Sequence, residues 1–258
     1  MAKRNIVIGN WKMNPITIKD GEKILRGISK NLTNIKNTEV VVCPPFVFLE
    51  KLKSPKIKAK KIFLGAQDAF GGDIGAFTGE VSAQMLASMG VKYVILGHSE
   101  RRALGETDAL INKKIKGVLG AGLAPVLCVG ELARDEKHEY FNFVKSELLA
   151  SLDGVSKNLI SKVIVAYEPV WAISTTVDRR DATPVDAREM AIFIRKTLSD
   201  KFGKDGANTR ILYGGSVNER DAGDFIINGS VDGLLVGKAS LDPKKFSEIL
   251  RTCETSSK

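Results

Sequence analysis

The sequence has 258 residues, of which 43% are hydrophobic, and it carries a formal net charge of +9 at pH 7. Its three cysteines lack pair or metal spacing and its two histidines are few, which excludes a disulfide scaffold and a histidine-rich metal site. There is no apolar leader and no run of membrane-spanning length, so we expect a protein of the reducing cytoplasm without a membrane partner.

The lysines behind the positive charge are scattered rather than gathered into a nucleic-acid motif. The densest group, KSPKIKAKK at 53–61, has no interleaved aromatic residues. We therefore expect no nucleic-acid partner. A basic surface can instead increase the arrival rate of an anionic substrate.

Eight short apolar runs predict eight β-strands. Most of them are nearly continuous in Val, Ile and Leu, which is typical of parallel strands buried on both faces. In chain order they are residues 5–11, 39–44, 62–67, 92–97, 124–130, 162–168, 209–215 and 232–237.

Segments between these strands predict helices. Residues 109–122 have apolar positions three and four apart and end in glycine, and residues 184–203 open with proline after Thr183. Strands that alternate with helices predict right-handed β-α-β units. Eight such units without a linker predict an α/β fold in which residues 1–258 form one (β/α)8 barrel domain.

The chemistry is expected at the carboxyl ends of the strands, where barrels build their active sites. The last two predicted strands have glycine-rich ends. Such ends suit a phosphate because bare backbone N–H groups face it. The strand ends carry one cation, one imidazole, one base and this cradle: Asn10 and Lys12 in GNWKMN, Gln67 in GAQDAF, His98 in GHSERR, Glu131 in CVGE, Glu168 in YEPVW, then YGGS and VGKAS.

Four motifs, GNWKMN, ILGHSERR, YEPVWAI and YGGSV, carry a resemblance to a known family. From the first strand to VGKASL the chain resembles the triosephosphate isomerases, which are TIM barrels. The resemblance implies an aldose–ketose isomerase of glycolysis and gluconeogenesis. It would interconvert dihydroxyacetone phosphate and D-glyceraldehyde 3-phosphate through an enediolate, without cofactor or metal.

The resemblance implies that Glu168 is the base that moves a proton between neighbouring carbons of the substrate. An apolar environment disfavours a charged carboxylate, so the aromatic and apolar residues around it are expected to strengthen it as a base. His98 is implied to polarise the carbonyl as a neutral electrophile. Ser99 is expected to cap a helix that begins at Glu100. His98 would then lie at a helix N-terminus, which disfavours an imidazolium.

Lys12 and Asn10 are implied to stabilise the developing enediolate, the first with its ammonium and the second with a hydrogen bond. Glu100 is expected to pair with Lys12 or to support the site from behind. We interpret Glu131 and Arg101 as members of structural ion pairs at the barrel mouth.

The phosphate end combines matches to the family with departures from it. Ser216 and Gly237 match, whereas Lys238 stands where the family usually has a second glycine, although its backbone N–H remains available. Ser174 likewise replaces a glycine of the lid and keeps the N–H that is implied to reach the phosphate.

The lid, residues 174–183 (STTVDRRDAT), is longer than the family's and contains no glycine. We expect it to close over substrate, with hinge changes at 170–172 and after Asp181, because its β-branched residues are stiff. Burial of an unpaired arginine is costly. The charged tip is therefore expected to face solvent: Asp178, Arg179, Arg180 and Asp181.

A long glycine-rich loop, residues 68–82, follows the third predicted strand and indicates an interface. In the resemblance, Thr78 at its tip reaches into a neighbouring subunit and supports Asn10 and Lys12. A homodimer is therefore expected.

Two other classes of function remain open from the residues. A lyase, or an enzyme acting on a larger sugar phosphate, would share the glycine-rich strand ends but would not need His98, Glu168 and a compact lid. A catalytically silent binding barrel would not need the full set of catalytic side chains. Cys128 is interpreted as core packing, since nothing beside it would activate a thiolate, and His138 as a surface residue.

Overall fold

The structure is a computed structural model of one chain, and it describes residues 4–53, 62–173 and 180–256. Eight parallel strands in these ranges close into a barrel in sequence order, with the last strand paired to the first. They are β1 (Asn5–Asn10), β2 (Thr38–Cys43), β3 (Ile62–Ala66), β4 (Tyr93–Leu96), β5 (Ala124–Val129), β6 (Ile164–Tyr167), β7 (Arg210–Tyr213) and β8 (Gly233–Val236).

Alternate residues of the strands point to opposite faces of the barrel wall. In β1, Ile6 and Ile8 belong to an inner cluster that also contains Ile95 of β4. Val7, between them, belongs to the larger outer cluster, which also contains Leu25 from the helical layer. Both faces of the strand are therefore buried, which explains the nearly continuous apolar runs.

The helices of the described residues form the outer layer. They are α1 (Ile18–Lys30), α2 (Leu49–Leu52), α3 (Ala83–Ser88), α4 (Ser99–Ala103), α5 (Asp108–Gly120), α6 (Glu139–Ser151), α7 (Lys157–Ile160), α8 (Pro184–Phe202), α9 (Lys204–Ala207), α10 (Ala222–Asn228) and α11 (Pro243–Thr255). Short 3-10 segments cover Phe46–Phe48, Val170–Ala172 and Lys238–Leu241. No helix in these ranges has the length and apolar character needed to cross a membrane.

The predicted α/β barrel is confirmed. Seven of the predicted runs contain a strand, and β2 begins at Thr38, one residue before the run predicted for it. The two predicted helices are confirmed as α5 and α8. Thr183 caps α8 in a capping box with Asp186, and the helix ends before Gly203, whose φ of 68° suits glycine.

Candidate active site

The side chains of Glu168 and His98 meet at the carboxyl ends of β6 and β4. Glu168 is 2% exposed and His98 6% exposed. Oε1 of Glu168 lies 3.2 Å from Nε2 of His98, and Oε2 accepts a hydrogen bond of 3.3 Å from the Ser99 backbone N–H. A potential base and a potential electrophile are thus in contact inside the barrel mouth.

His98, and not Ser99, caps helix α4, so the predicted cap was wrong by one residue. The helix begins at Ser99, and Nδ1 of His98 accepts the backbone N–H of Glu100 at 3.2 Å. The imidazole nitrogen does what a capping serine oxygen would do. Because an acceptor nitrogen carries a lone pair, the ring proton lies on Nε2 and the imidazole is neutral.

Two glycines make room for this pair. Gly97 has a φ of 68°, a left-handed conformation that turns the chain at the end of β4 and sets His98 at the mouth. A Cβ on Gly214 would lie 2.8 Å from Cγ of Glu168. A side chain at that position would displace the carboxylate.

Lys12 is held in place by three neighbours. Its backbone has a φ of 52°, uncommon for a residue with a side chain, and its N–H is bound by Oδ1 of Asn10 at 3.0 Å. The amide of Gln67 donates to the carbonyls of Lys12 and Cys43, each at 2.8 Å. The Lys12 ammonium pairs with Glu100 at 2.5 Å, which confirms the first of the two roles expected for Glu100.

One small cavity brings together most of the predicted site residues. It has a volume of about 60 Å³, and its lining includes Asn10, Lys12, His98, Glu168, Ser216, Gly237 and Lys238. Thr78 is not part of this lining. Ser174 lies outside the described residues, as do Asp178 and Arg179 of the lid.

The glycine-rich ends of β7 and β8 form part of the wall of this cavity. Lys238 begins a 3-10 segment and is absent from the described non-glycine residues with positive φ, so lysine fits there without strain. The Ser216 N–H donates to the carbonyl of Ala172 at 3.2 Å. A phosphate that takes this N–H must therefore break a contact with the hinge segment.

Glu131 is the centre of a network at the base of the lid. Only 1% exposed, it accepts hydrogen bonds from the Tyr167 hydroxyl (2.8 Å) and the Trp171 indole (2.9 Å). Arg134 donates to Glu131 at 3.2 Å and to Asp186 of the α8 capping box at 2.9 Å. The network therefore links the segment before the lid to the helix after it, and Glu131 is in an ion pair as interpreted. Burial and the Glu131 carboxylate raise the pKa of Tyr167, so its hydroxyl stays neutral.

Arg180, the first described residue after the gap in the lid, contacts an aromatic ring. The residue is exposed, but its guanidinium carbon lies 4.4 Å from the centroid of the Trp171 ring, within cation–π distance. Arg134 approaches the same ring at 5.5 Å. Arg180 therefore faces solvent as expected, and its contact with the Trp171 ring is an additional feature that the sequence does not predict.

Arg101 forms ion pairs, as interpreted, at the partly exposed edge of a cluster of charged side chains. It lies 2.9 Å from Asp68 and 2.5 Å from Glu106, and Lys114, 5% exposed at its side chain, pairs with both acids. Burial raises the pKa of Asp68, although Lys114 acts in the opposite direction. The cluster fixes the start of the 68–82 loop.

Thr78 lies exposed near the end of that loop. The Phe70 and Phe77 rings lie 4.4 Å apart, and the Phe70 N–H donates to the carbonyl of Val81 at 2.8 Å. These contacts close the loop on itself within one chain, and the role of Thr78 in a dimer stays a prediction.

The remaining sequence interpretations concern single residues. Cys128 is buried inside the barrel, and burial followed by the nearby Glu168 carboxylate raises the pKa of its thiol. This fits a packing role. His138 is exposed at the start of α6. Within residues 4–53, 62–173 and 180–256, no group of His, Cys, Asp or Glu side chains is arranged to hold a metal ion.

The sequence pattern assigns no role to Gln67 beyond a strand end and does not single out Arg134. The signal available for Gln67 is its position directly after β3. Arg134 lies three residues beyond Glu131 in a charged loop, and nothing in the sequence shows that it spans to α8.

Comparison with known proteins decides the family. The family model described as "Triosephosphate isomerase" matches residues 5–253. The chain belongs to the triosephosphate isomerase family. This confirms the resemblance found in the motifs, over nearly the whole chain.

Relatives within the triosephosphate isomerase family cover almost all of the chain. A triosephosphate isomerase from Bacteroides fragilis is 43% identical over 251 residues, covering 96% of this chain and 98% of the relative. One from Aquifex aeolicus is 42% identical over 249 residues, with the same coverage. A crystal structure of the triosephosphate isomerase from Bartonella henselae superposes with a TM-score of 0.83 at 35% identity, covering 96% of this chain and 98% of that one. The chain is an isomerase of triose phosphates.

Proposed function

We propose that Glu168 and His98 carry out the proton transfers of the isomerisation that this family catalyses. The reaction interconverts dihydroxyacetone phosphate and D-glyceraldehyde 3-phosphate and belongs to glycolysis. The observation that carries the assignment is the 3.2 Å contact between the buried Glu168 carboxylate and Nε2 of His98. Substrate displaces this contact, so that the carboxylate faces a carbon and Nε2 faces the oxygens.

Glu168 takes a proton from the carbon next to the carbonyl and returns it to the neighbouring carbon. A positioned general base contributes roughly 10²- to 10⁴-fold to such a step. The backbone at Glu168 is fixed by its N–H bond to the Val129 carbonyl at 2.8 Å. The side chain can therefore swing between Ser99 and the substrate while its anchor stays in place.

His98 donates its Nε2 proton toward the carbonyl oxygen and moves protons between the two oxygens of the enediolate. Its Nδ1 remains bound to the Glu100 N–H, so Nε2 is the nitrogen that exchanges the proton. The ring passes through the imidazolate when Nε2 gives its proton to one oxygen, and it is neutral again when Nε2 takes the proton of the other oxygen. Lys12 supplies positive charge to the enediolate. Asn10, whose oxygen holds the Lys12 N–H, has its amide nitrogen left to donate to a substrate oxygen.

The phosphate is proposed to bind the backbone N–H groups at the ends of β7 and β8, at Ser216, Gly237 and Lys238. The family resemblance adds the N–H of Ser174 from the lid. Closure of the lid would exclude water and prevent elimination of phosphate from the enediolate. The hydrogen bond from the Ser216 N–H to the Ala172 carbonyl, which a bound phosphate would replace, supports a link between substrate binding and hinge movement.

We also infer a cytoplasmic homodimer in which residues 1–258 form one barrel domain. The support is a group of exposed apolar side chains on the loops after β1, β2 and β3, which are neighbours in the barrel. They are Met13, Ile16, Val47, Ile74 and Phe77, between 50% and 94% exposed. A second copy of the chain would cover them and bring Thr78 against the Asn10 and Lys12 region.

A coupled assay with D-glyceraldehyde 3-phosphate tests the assignment. Glu168→Gln keeps the size of the side chain and removes the base, so kcat is expected to fall by about 10²-fold or more. The exposed Glu136→Gln is the control and should keep wild-type kcat. Retention of more than about a tenth of wild-type kcat by Glu168→Gln would show that another group is the base.

A further inference from the structure

The cavity around Glu168 and His98, with a volume of about 60 Å³, continues beyond the reacting pair. It opens into a groove of about 2210 Å³ that runs along α1 and the start of α11. Six residues line both spaces: Asn10, Lys12, Ser216, Val217, Lys238 and Ala239. Ser216 and Lys238, two of the residues proposed to bind the phosphate, therefore lie at this junction.

Two of the six junction residues are lysines, and they differ in their partners. The Lys12 ammonium is already paired with Glu100 at 2.5 Å. Lys238 is exposed, and no carboxylate of the described residues forms an ion pair with it. Its ammonium is therefore available to an anion at the junction. A Cβ on the adjacent Gly237 would lie 3.7 Å from Cε of Lys12, so the Lys12 side chain passes close to the backbone that precedes Lys238.

The groove beyond the junction is predominantly basic. Its lining has eight basic side chains against four acidic ones. Lys19, Lys23, Arg26 and Lys30 follow one another along α1 at spacings of four, three and four, which places them on one helical face. A field of this sign attracts a dianion toward the mouth of the site.

We propose that the Lys238 side chain is a further substrate-binding group, whose ammonium binds the phosphate dianion from the groove side of the junction. This inference rests on the proposed function and goes beyond it, since the phosphate cradle described above uses only the Lys238 backbone N–H. With Lys12, the ammonium of Lys238 would give the phosphate end two cations.

The test uses the full-length protein and inorganic phosphate as the probe. Lys238→Gly keeps the backbone N–H and removes the ammonium, whereas Lys238→Arg keeps the charge. Lys244→Met is the matched control, because Lys244 also lines the groove but not the cavity. Calorimetric titration gives the Kd for phosphate, and the coupled assay gives kcat and KM for D-glyceraldehyde 3-phosphate.

Lys238→Gly is expected to weaken phosphate binding and raise KM by about two- to five-fold, with kcat nearly unchanged, as for an exposed ion contact. Lys238→Arg should restore both values, and Lys244→Met should match the wild type. The loss should shrink as salt is raised, because salt screens exposed charges.

Equal phosphate affinity in Lys238→Gly and wild type would overturn the inference, and so would an equal loss in Lys244→Met. If either result is found while the wild type isomerises the substrate, the inference about Lys238 fails and the proposed function stands. A wild type that binds phosphate but does not isomerise means that the proposed function fails.

Discussion

At the residue scale, the contact between the Glu100 N–H and Nδ1 of His98 determines which nitrogen of the ring carries the proton. The position of His98 after a strand is visible in the sequence, and so is a helix start nearby. The sequence nevertheless predicts the cap at Ser99, because serine is a common capping residue. A one-residue shift in where the helix begins changes the capping atom from a hydroxyl to the imidazole. Sequence patterns locate helix ends less finely than this.

Gln67 makes a testable contribution at the same scale. Its amide donates to the carbonyls of Lys12 and Cys43 and supports the left-handed backbone of Lys12. Gln67→Ala leaves both carbonyls without this donor, so the free energy of unfolding should fall by roughly 1–3 kcal/mol. Misplacement of Lys12 should lower kcat/KM by about tenfold or more.

Chemical denaturation and the coupled assay measure these two effects. Gln84→Ala, at an exposed position of α3, is the matched control and should change neither value. If Gln67→Ala keeps wild-type kcat/KM, Lys12 does not depend on Gln67 for its position.

At the element scale, the segment before the lid is bound on several sides. The Trp171 indole donates to Glu131, and its ring faces the guanidinium groups of Arg134 and Arg180. The sequence predicts the hinge, since proline and bulky residues follow Glu168. It does not predict the Arg180 contact, because the partner ring lies nine residues back across the lid.

Removal of the Arg180 side chain tests the importance of this contact. An exposed cation–π pair is worth about 0.5–1 kcal/mol, so Arg180→Ala should lower kcat/KM by roughly two- to five-fold. The fluorescence of Trp171 should change as well. The other tryptophan, Trp11, is fully buried and should keep its emission. Arg188→Ala, an exposed arginine on α8, serves as the control.

An Arg180→Ala variant with wild-type emission and wild-type kcat/KM would show that the contact has no part in positioning Trp171. The same change in Arg188→Ala would show that any arginine of this face has the effect.

At the scale of the whole molecule, the barrel was predictable because eight doubly buried strands leave a strong apolar pattern in the sequence. The strand ends then gave the identities of the site residues in chain order. The pairings between strand ends were harder to predict. These pairings join distant parts of the chain, and only barrel closure brings them together. They are Glu168 with Ser99, Gln67 with Lys12 and Arg134 with Asp186.

The pH dependence of stability follows from Glu147. Burial raises its pKa to about 7, although Arg102 and the Gly130 N–H act in the opposite direction. The folded protein thus holds this proton more tightly than the unfolded chain, whose glutamate pKa is near 4.5. The resulting stabilisation is complete below pH about 4.5 and is lost as the pH rises through about 7.

Glu147→Gln removes this titration and keeps an acceptor for Gly130. The unfolding free energy of the wild type minus that of the variant should therefore fall by about 1 kcal/mol per pH unit between pH 5 and 7. Denaturant titrations at several pH values measure the difference. A difference that is constant or rises with pH would contradict the assignment to Glu147.

The oligomeric state is a second property of the whole molecule. Sedimentation velocity should show a homodimer, and Ile74→Asp should dissociate it, because a charge would replace an apolar contact across the interface. Ile227→Asp, an exposed isoleucine on α10, should leave the dimer intact. A wild-type monomer with full activity at assay concentrations would rule out the dimer as the working form.

Incorporation of solvent deuterium into the substrate carbon tests the central claim most directly, since that claim is proton transfer by Glu168. In D₂O, wild-type turnover of D-glyceraldehyde 3-phosphate should give product that carries deuterium from the base, detected by NMR. Glu168→Gln should neither isomerise nor exchange, while its affinity for inorganic phosphate stays close to that of the wild type. Exchange by the Gln variant at the wild-type rate would contradict the account, because the proton would then be moved by a group other than Glu168.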